Sequence, residues 1–288
     1  MKPEDLEILI RANHILHHQN VVDAYGHISM RHPDKPDVFI MSGDRAPALV
    51  SKASDLIQYN VSDSSPVDPS SKKGYSERFI HSEIYKKYSH INSVIHSHSQ
   101  AVLPYTMSGV PMRAAFHIAG FLGHTVPVYD IIPLYKPGEQ QDLLVNSERF
   151  GSVLAGHFSS SSPEEKEEKA EHTHDHNVVL MSNHGFTTLG TSVPQAVYRA
   201  VYTHINAGIQ SQALALRSSC LNGVFGKGYG TGADRGEWGF DGMRFLDTEE
   251  LKEGCTKMND ASQHRPWEMW VREVEVNPLY RLEIGVKR

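Results

Sequence analysis

Residues 93–98 read Ser-Val-Ile-His-Ser-His, a short apolar run that ends in two histidines separated by one residue. Such a run predicts a β-strand, on which side chains at positions i and i+2 point to the same face. His96 and His98 would then project together, at a separation that one metal ion can bridge. Neutral imidazoles are good ligands for Zn²⁺ and other divalent transition metals. Because the motif is short, two unrelated polar histidines are the alternative.

Two further residues extend this pattern. His184 directly follows a predicted strand, and Gly185 after it permits a tight turn that exposes the imidazole. Glu77 stands at a predicted helix start, 19 residues before His96. Three histidines, a carboxylate and an open position are typical of a catalytic metal site. The simpler explanation of Glu77 is a first-turn glutamate that the helix dipole favours.

The hydrophobic pattern predicts a mixture of helices and strands. Apolar side chains at helical spacing indicate helices over residues 4–20, 76–88, 139–157 and 193–218. Short apolar or alternating runs indicate strands over residues 25–31, 38–41, 93–98, 126–129, 177–181 and 186–189. The two kinds of element do not alternate strictly, so a layered α/β arrangement is expected.

The chain is predicted to form one catalytic domain over residues 1–220. Within it, residues 159–175 are rich in Ser, Glu and Lys and should form a solvated insertion. Residues 221–288 should form a Gly-rich loop, centred on 223–240, and a helical extension that packs on the same domain. The histidines at 172, 174 and 176 repeat the H-x-H spacing, but adventitious metal binding is expected of them.

Composition narrows the class of protein. The chain has 288 residues, 39% hydrophobic residues and a net charge of −6, which excludes a wholly disordered chain and disfavours a nucleic-acid partner. No apolar run is long enough to span a membrane, and the first residues lack a signal-peptide core. The two cysteines, Cys220 and Cys255, form no framework and are expected to be reduced thiols in a cytoplasmic protein.

Taken together, the motifs resemble the class II aldolase/adducin family. They comprise residues 76–85 around Glu77, residues 94–99, and Asn-His-Gly at 183–185. Residues 26–31 match that family's G-N-x-S-x-R turn, with His in place of its Asn. The resemblance covers about residues 5–215. It implies a three-layer α/β/α fold with a central, mostly antiparallel sheet.

The resemblance also implies a site and an assembly. His96, His98 and His184 would be the ligands of one divalent metal ion per chain, with Glu77 as a catalytic residue beside them. Zinc is the expected metal, and manganese and iron are the alternatives. The family further implies a homo-oligomer, with a tetramer as the expected form.

The chain departs from the family's sugar-phosphate aldolases where those enzymes hold the phosphate. His27, Ser42-Gly43 and Tyr75-Ser76 stand at those positions, and residues 39–50 make the region more apolar while adding Arg45. These features resemble a family branch that decarboxylates hydroxylated aromatic carboxylic acids, including pyridine-dicarboxylate and dihydroxyphthalate decarboxylases. Residues 265–270, Arg-Pro-Trp-Glu-Met-Trp, resemble an ending found in that branch.

We therefore predict a metal-dependent carbon–carbon lyase that decarboxylates a hydroxylated or keto aromatic acid. Loss of CO₂ requires a proton donor, for which Glu77 and His117 are the candidates. An aldolase cleaving a hydroxy-ketone or hydroxy-acid, an iron-dependent oxygenase and a non-catalytic adducin-like binding module are the alternatives.

Four residues are predicted to bind the substrate: Arg45, His27, Ser42 and His81. Arg45 could clamp a carboxylate with its two-pronged guanidinium, or it could simply lie on the surface. His81 lies one helical turn from Glu77 and could orient it, or it could be an ordinary polar residue of the helix face.

Overall fold

The structure is a computed structural model and describes residues 2–159, 174–222 and 243–284. Its strands belong to one sheet. They are β1 (His27–His32), β2 (Lys35–Ser42), β3 (Leu56–Asn60), β4 (Ser93–Ser97), β5 (Val128–Tyr129), β6 (Val178–Met181) and β7 (Gly185–Gly190).

The helices of the described residues surround that sheet. They are α1 (Pro3–His18), α2 (Arg78–Lys87), α3 (Leu103–Met107), α4 (Glu148–Gly156), α5 (Val193–Asn222), α6 (Glu249–Ser262) and α7 (His264–Val276). Short 3-10 helices cover Pro47–Leu49, Ala53–Asp55, His117–Leu122 and Ile132–Leu134.

The seven strands lie in the order β3-β2-β1-β4-β7-β6-β5. Every neighbouring pair is antiparallel except β5 and β6, which run parallel. Alternate residues of each strand supply two hydrophobic cores, so that Ile95 packs on one face of the sheet and Val94 on the other. Helices α1 and α5 cover the Ile95 face, and α2 and α4 cover the Val94 face. The predicted three-layer fold with a mostly antiparallel sheet is confirmed.

The predicted helix over residues 139–157 is wrong in its first half, because α4 begins only at Glu148. The side chain of Asp142 accepts a hydrogen bond of 3.0 Å from the backbone N–H of Leu144, two residues on. Leu143 itself has a φ of 62°, which no α-helix can contain. An aspartate that bonds its own backbone in this way offers the chain a turn in place of a helix.

One strand and one α-helix were not predicted. Strand β3 alternates half-buried and buried residues, and its sequence Leu-Ile-Gln-Tyr-Asn alternates apolar and polar side chains from Ile57 on, a signal too short to have been recognised. Helix α3 is a single short turn over Leu103–Met107, too brief to show a helical period. Helix α5 also extends past the predicted end at residue 218, to Asn222.

The C-terminal helices pack on this domain. Gly120 in the 3-10 helix His117–Leu122 lies so close to α6 that a Cβ there would be 2.8 Å from the Lys252 carbonyl oxygen. Trp270 and Val274 of α7 are buried in the same core as residues of α1 and α5. The Gly-rich stretch 223–240 lies outside the described residues. None of the helices in the described ranges has the length and apolar character of a membrane span.

Most of the predicted insertion at 159–175 also lies outside the described residues, which stop at 159 and resume at 174. Its two ends are close together. The backbone N–H groups of Asp175 and His176 donate to the carbonyl oxygen of Phe158 at 2.8 and 3.0 Å. His174 bonds to His90 and to Asn177, so the last residues of the predicted insertion pack against the domain.

Candidate metal centre

The pairing of β1 with β4 places two histidines side by side. His27 lies directly opposite His96 in this antiparallel pair, and residues opposite one another share a face of the sheet. That face is the one covered by α2, whose preceding residue is Glu77. The strand therefore points His96 toward the start of the helix, and His98 follows just beyond the strand end.

Four side chains meet at this point: Glu77, His96, His98 and His184. Their ligand atoms all lie within 4.8 Å of one another. The Nε2 atoms of His96 and His98 are 3.0 Å apart. One carboxylate oxygen of Glu77 lies 3.7 Å from Nε2 of His96, and the other lies 3.7 Å from Nε2 of His184. The structure thus brings together the four residues that sequence analysis proposed for a metal site.

The donor set fits a divalent transition metal. Separations of 3.7 Å are too long for hydrogen bonds between the carboxylate and the imidazoles. They are near the spacing of about 3.4 Å that two ligand atoms adopt when each is about 2.0–2.1 Å from one tetrahedral ion. Three imidazole nitrogens and one carboxylate form a set that Zn²⁺, Mn²⁺ or Fe²⁺ accepts. Glu77 and His96 are buried and the other two are partly exposed, so the cluster opens on one side.

A close approach of two strands places His184. Gly185 has a φ of 153°, and a Cβ on it would lie 2.0 Å from the carbonyl oxygen of Ser97 in β4. Only glycine fits so near that backbone. The N–H of His184 bonds to the Met181 carbonyl oxygen at 3.0 Å, which closes the turn between β6 and β7. This turn carries His184 toward His98.

The carboxylate of Glu77 is held by a loop. The backbone N–H of Val145 donates to its Oε1 at 3.1 Å. Burial raises the pKa of Glu77, whereas His184 and the Val145 N–H lower it in part. The second oxygen of Glu77 also lies 3.9 Å from Nε2 of His27.

Behind the four clustered side chains lies a chain of buried polar groups. Nδ1 of His27 bonds to Nε2 of His81 at 2.7 Å, and Nδ1 of His81 bonds to Ser29 Oγ at 2.6 Å. Ser29 Oγ bonds in turn to the Tyr85 hydroxyl at 2.7 Å. Burial lowers the pKa of His27 to about 3 and that of His81 well below its ordinary value. His81 therefore bonds to His27, whereas one prediction from the sequence was that it orients Glu77.

Ser29 and Tyr85 were not predicted as site residues. The signal was present, because Glu77, His81 and Tyr85 recur every four residues and so lie on one helix face. Ser29 stands two residues after His27 and so shares its strand face. Neither spacing indicates that the two sets of residues touch unless the packing of α2 on β1 is already known.

The other predicted residues lie around or outside this cluster. Ser42 is buried at the end of β2 beside Tyr75, whose ring centroid is 4.8 Å from that of His27. Arg45 is 43% exposed; its Nε donates to the Leu49 carbonyl oxygen at 2.5 Å and its Nη1 lies 3.6 Å from Oδ1 of the buried Asp55. His117 is exposed at the start of its 3-10 helix and is not among the clustered ligand residues. Roles for these residues stay predictions.

Comparisons with known proteins identify a family and several relatives of this chain. The family model for the Class II Aldolase and Adducin N-terminal domain matches residues 7–211. A protein of Talaromyces stipitatus named Decarboxylase tropJ is 45% identical over 267 residues, which is 93% of this chain and 92% of that protein. The 3,4-dihydroxyphthalate decarboxylase of Arthrobacter keyseri is 26% identical over 72% of this chain and 77% of its own.

Solved structures share the fold. The crystal structure of an aldolase II superfamily protein from Pseudomonas syringae superposes with a TM-score of 0.65 at 19% identity, covering 97% of this chain and 96% of that one. The family match, together with a decarboxylase-named relative along most of the chain, supports an enzyme of the lyase class. The chain belongs to the class II aldolase and adducin family.

Proposed function

We propose that this chain is a divalent-metal-dependent decarboxylase of a hydroxylated or keto aromatic carboxylic acid. The observation that carries the proposal is the cluster of Glu77, His96, His98 and His184, in a chain 45% identical to a protein named a decarboxylase. Zinc is the expected metal, with manganese and iron as alternatives. A cytoplasmic homo-oligomer, with four copies as the expected number, is part of the proposal.

His96, His98 and His184 would hold the ion, which when bound supplies Lewis acidity that stabilises negative charge on a substrate oxygen. Decarboxylation breaks the bond to the carboxyl carbon, releases CO₂ and leaves the electron pair on the ring carbon. That carbon must then take up a proton. Glu77 is the better placed donor, since it belongs to the cluster and the Val145 N–H fixes one of its oxygens. His117 is the second candidate for this proton.

The wall beside the cluster supports an aromatic substrate. Sugar-phosphate aldolases need small polar groups and free backbone N–H groups around the phosphate. Here the rings of His27 and Tyr75 lie 4.8 Å apart in that region. The Tyr75 hydroxyl donates to the Arg45 carbonyl oxygen at 2.7 Å, which holds the ring in place. The two rings make this wall bulkier and flatter than a phosphate-binding site. Such a surface favours contact with the ring of an aromatic acid.

The experiment is a substrate panel. Purified protein is loaded separately with Zn²⁺, Mn²⁺ and Fe²⁺ and incubated with aromatic hydroxy acids and with a phosphorylated sugar. We expect release of CO₂ from at least one aromatic acid and no cleavage of the sugar phosphate. Cleavage of a hydroxy-ketone or sugar phosphate with no CO₂ from any acid would assign an aldolase. Oxygen uptake with Fe²⁺ would assign an oxygenase.

A non-catalytic binding module is disfavoured by the ligand set. A chain that only binds a partner has no need of three imidazoles and a carboxylate with ligand atoms within 4.8 Å. Such a group is costly to bury unless an ion or hydrogen bonds satisfy it. Failure of every metal-loaded form to turn over any compound in the panel would revive this alternative.

A further inference from the structure

Two rows of polar side chains face each other behind the metal ligands. Glu77, His81 and Tyr85 follow one another at intervals of four residues at the start of and along α2, which is about 6 Å of helix per interval. His27 and Ser29 are two residues apart on β1, which is about 6.6 Å of strand. Because these two repeats nearly match, the side chains of the helix interdigitate with those of the strand.

The interdigitated side chains form one continuous line of hydrogen bonds. It runs from Tyr85 to Ser29 at 2.7 Å, from Ser29 to His81 at 2.6 Å and from His81 to His27 at 2.7 Å. All four residues are buried, with exposures of 2% or less. The line ends at the buried Nε2 of His27, which has no hydrogen-bond partner among the described residues and lies 3.9 Å from Oε2 of Glu77.

The balance of donors and acceptors determines which group donates in each hydrogen bond of this line. Within the described residues, the acceptor for the Tyr85 hydrogen is the Ser29 hydroxyl, because the nearby backbone N–H of Val94 is itself a donor. If Tyr85 donates to Ser29, then Ser29 donates to Nδ1 of His81, and Nε2–H of His81 donates to Nδ1 of His27. Every hydrogen within the line then has an acceptor, and the one left over, on Nε2 of His27, is carried by the nitrogen that lies 3.9 Å from Oε2 of Glu77. In the reverse direction the Tyr85 hydrogen is buried without an acceptor and, among the described residues, Nε2 of His27 is buried without a donor. Two groups are then unpaired instead of one, which is the costlier arrangement.

In the favoured direction, Nδ1 of His27 is an acceptor and the ring hydrogen of neutral His27 is on Nε2. We propose that Tyr85, Ser29 and His81 are positioning residues that hold His27 in this tautomer, so that Nε2–H donates a hydrogen bond to a carboxylate or hydroxyl oxygen of the substrate. This inference rests on the proposed function, which supplies an acid with such an oxygen. A compound without an acceptor there would leave the N–H buried and unpaired, so the chain also selects the substrate.

Nuclear magnetic resonance of the zinc-loaded protein tests the tautomer directly. The ¹⁵N and ¹³C shifts of a histidine ring show which nitrogen carries the hydrogen, and the His27→Asn variant identifies the His27 signals by their loss. We expect Nε2–H in the wild-type protein. A His27 ring with its hydrogen on Nδ1 would overturn the proposal whatever the enzyme's activity.

Variants of the line test its effect. Ser29→Ala should move His27 toward a mixture of tautomers and lower kcat/KM about tenfold with zinc content unchanged. Tyr85→Phe should act in the same direction more weakly, since Ser29 can still donate to His81. Ser93→Ala and Tyr88→Phe are matched controls. The Ser93 hydroxyl donates to the Ser29 carbonyl oxygen and the Tyr88 hydroxyl to that of Ala155, so both bond outside the line.

The outcomes separate this proposal from the proposed function. If no aromatic acid is decarboxylated by wild-type protein, the proposed function fails, and the His27 shifts still decide whether the line holds the ring. If wild-type protein is active, and Ser29→Ala retains both the tautomer and the kcat/KM of its Ser93→Ala control, the positioning role is wrong and the decarboxylase stands. If Ser29→Ala does not fold, the comparison of Tyr85→Phe with its Tyr88→Phe control tests the positioning role in the same way.

Discussion

The backbone N–H of Val145 donates a hydrogen bond of 3.1 Å to Oε1 of Glu77. The same carboxylate lies 3.7 Å from a ring nitrogen of His96 and from one of His184. In an α-helix, this N–H would bond instead to the carbonyl oxygen of Gln141, four residues earlier. The irregular backbone before α4 therefore frees a donor that fixes the carboxylate in the site.

This bond leads to a prediction for Glu77→Gln. The amide oxygen of glutamine can still accept from Val145, so the fold and three histidine ligands should remain. The negative charge and the exchangeable proton are lost, and we expect kcat to fall at least about a hundredfold. Turnover and bound metal should be measured on the same sample. Glu83→Gln is the control, because Glu83 is equally buried in α2 but pairs with Lys86 at 2.7 Å. A Glu77→Gln enzyme with wild-type kcat would contradict the catalytic role.

The metal content of histidine variants tests the ligand set. Purified protein should contain about one divalent ion per chain, measured by elemental analysis. His96→Ala, His98→Ala and His184→Ala should each lose most of the metal and all detectable turnover, because three nitrogens hold an ion far better than two. His174→Ala should keep both, since His174 bonds to His90 and Asn177 outside the cluster. A His96→Ala/His98→Ala double variant with full metal would show that the ion binds elsewhere.

Arg45 can be tested against a neighbour that shares its ion-pair partner. Arg45 and Lys72 both approach Oδ1 of Asp55, at 3.6 and 3.5 Å. Removing either side chain perturbs that buried carboxylate, but only Arg45 is predicted to reach the substrate. We expect Arg45→Ala to raise KM for an aromatic acid several-fold while Lys72→Ala leaves it unchanged. Equal KM values for the two variants would assign Arg45 to the support of Asp55 alone.

A shortened protein tests the insertion. Since Phe158 bonds to both Asp175 and His176, a short Gly-Ser linker can replace residues 160–173 and leave these contacts in place. The removed residues have almost no apolar side chain, a composition from which no contribution to a core is expected. We expect metal content and kcat to be retained and Tm to change by no more than about 3 °C. Loss of the folded state would mean that the segment is structural.

We predict that His14, which is not part of the candidate metal site, makes the stability of the protein depend on pH. Burial lowers its pKa from 6.5 to about 4, against a hydrogen bond to the Val50 carbonyl oxygen. The unfolded chain then binds more protons than the folded chain between these values. The stability that neutral His14 contributes is therefore complete above pH 6.5 and is lost as the pH falls toward 4.

Urea unfolding at pH 7 and pH 5 measures this effect. From pH 7 to pH 5, the free energy of unfolding of the wild-type protein should fall by about 2 kcal/mol more than that of His14→Gln, because the glutamine side chain does not titrate. The comparison removes the contribution of other histidines, which both proteins share. His264→Gln, at an exposed position of α7, should follow the wild-type protein. Parallel losses in His14→Gln and wild-type protein would contradict the assignment.

Local spacing in the sequence, together with the family resemblance, was enough to predict that the four candidate site residues lie together. His96 and His98 are two residues apart on a strand, and this alone turns both imidazoles to one side. His184 and Glu77 each stand at the end of a recognisable element, where side chains reach out of the backbone. Periodicity also predicted most strands and helices and the layered class, because burial on one face imposes it on every element. These features involve neighbours along the chain, which is what a sequence pattern records.

Tertiary structure alone decided what surrounds those ligands. The register of β1 against β4 placed His27 opposite His96, and the packing of α2 on β1 linked His81 to His27 and Tyr85 to Ser29. Side-chain hydrogen bonds of the loop before α4 overrode a helical pattern. Each of these contacts joins residues distant in sequence, and its energy depends on strand order, register and helix placement. Those are set by the packing of the whole domain, so no local pattern contains them.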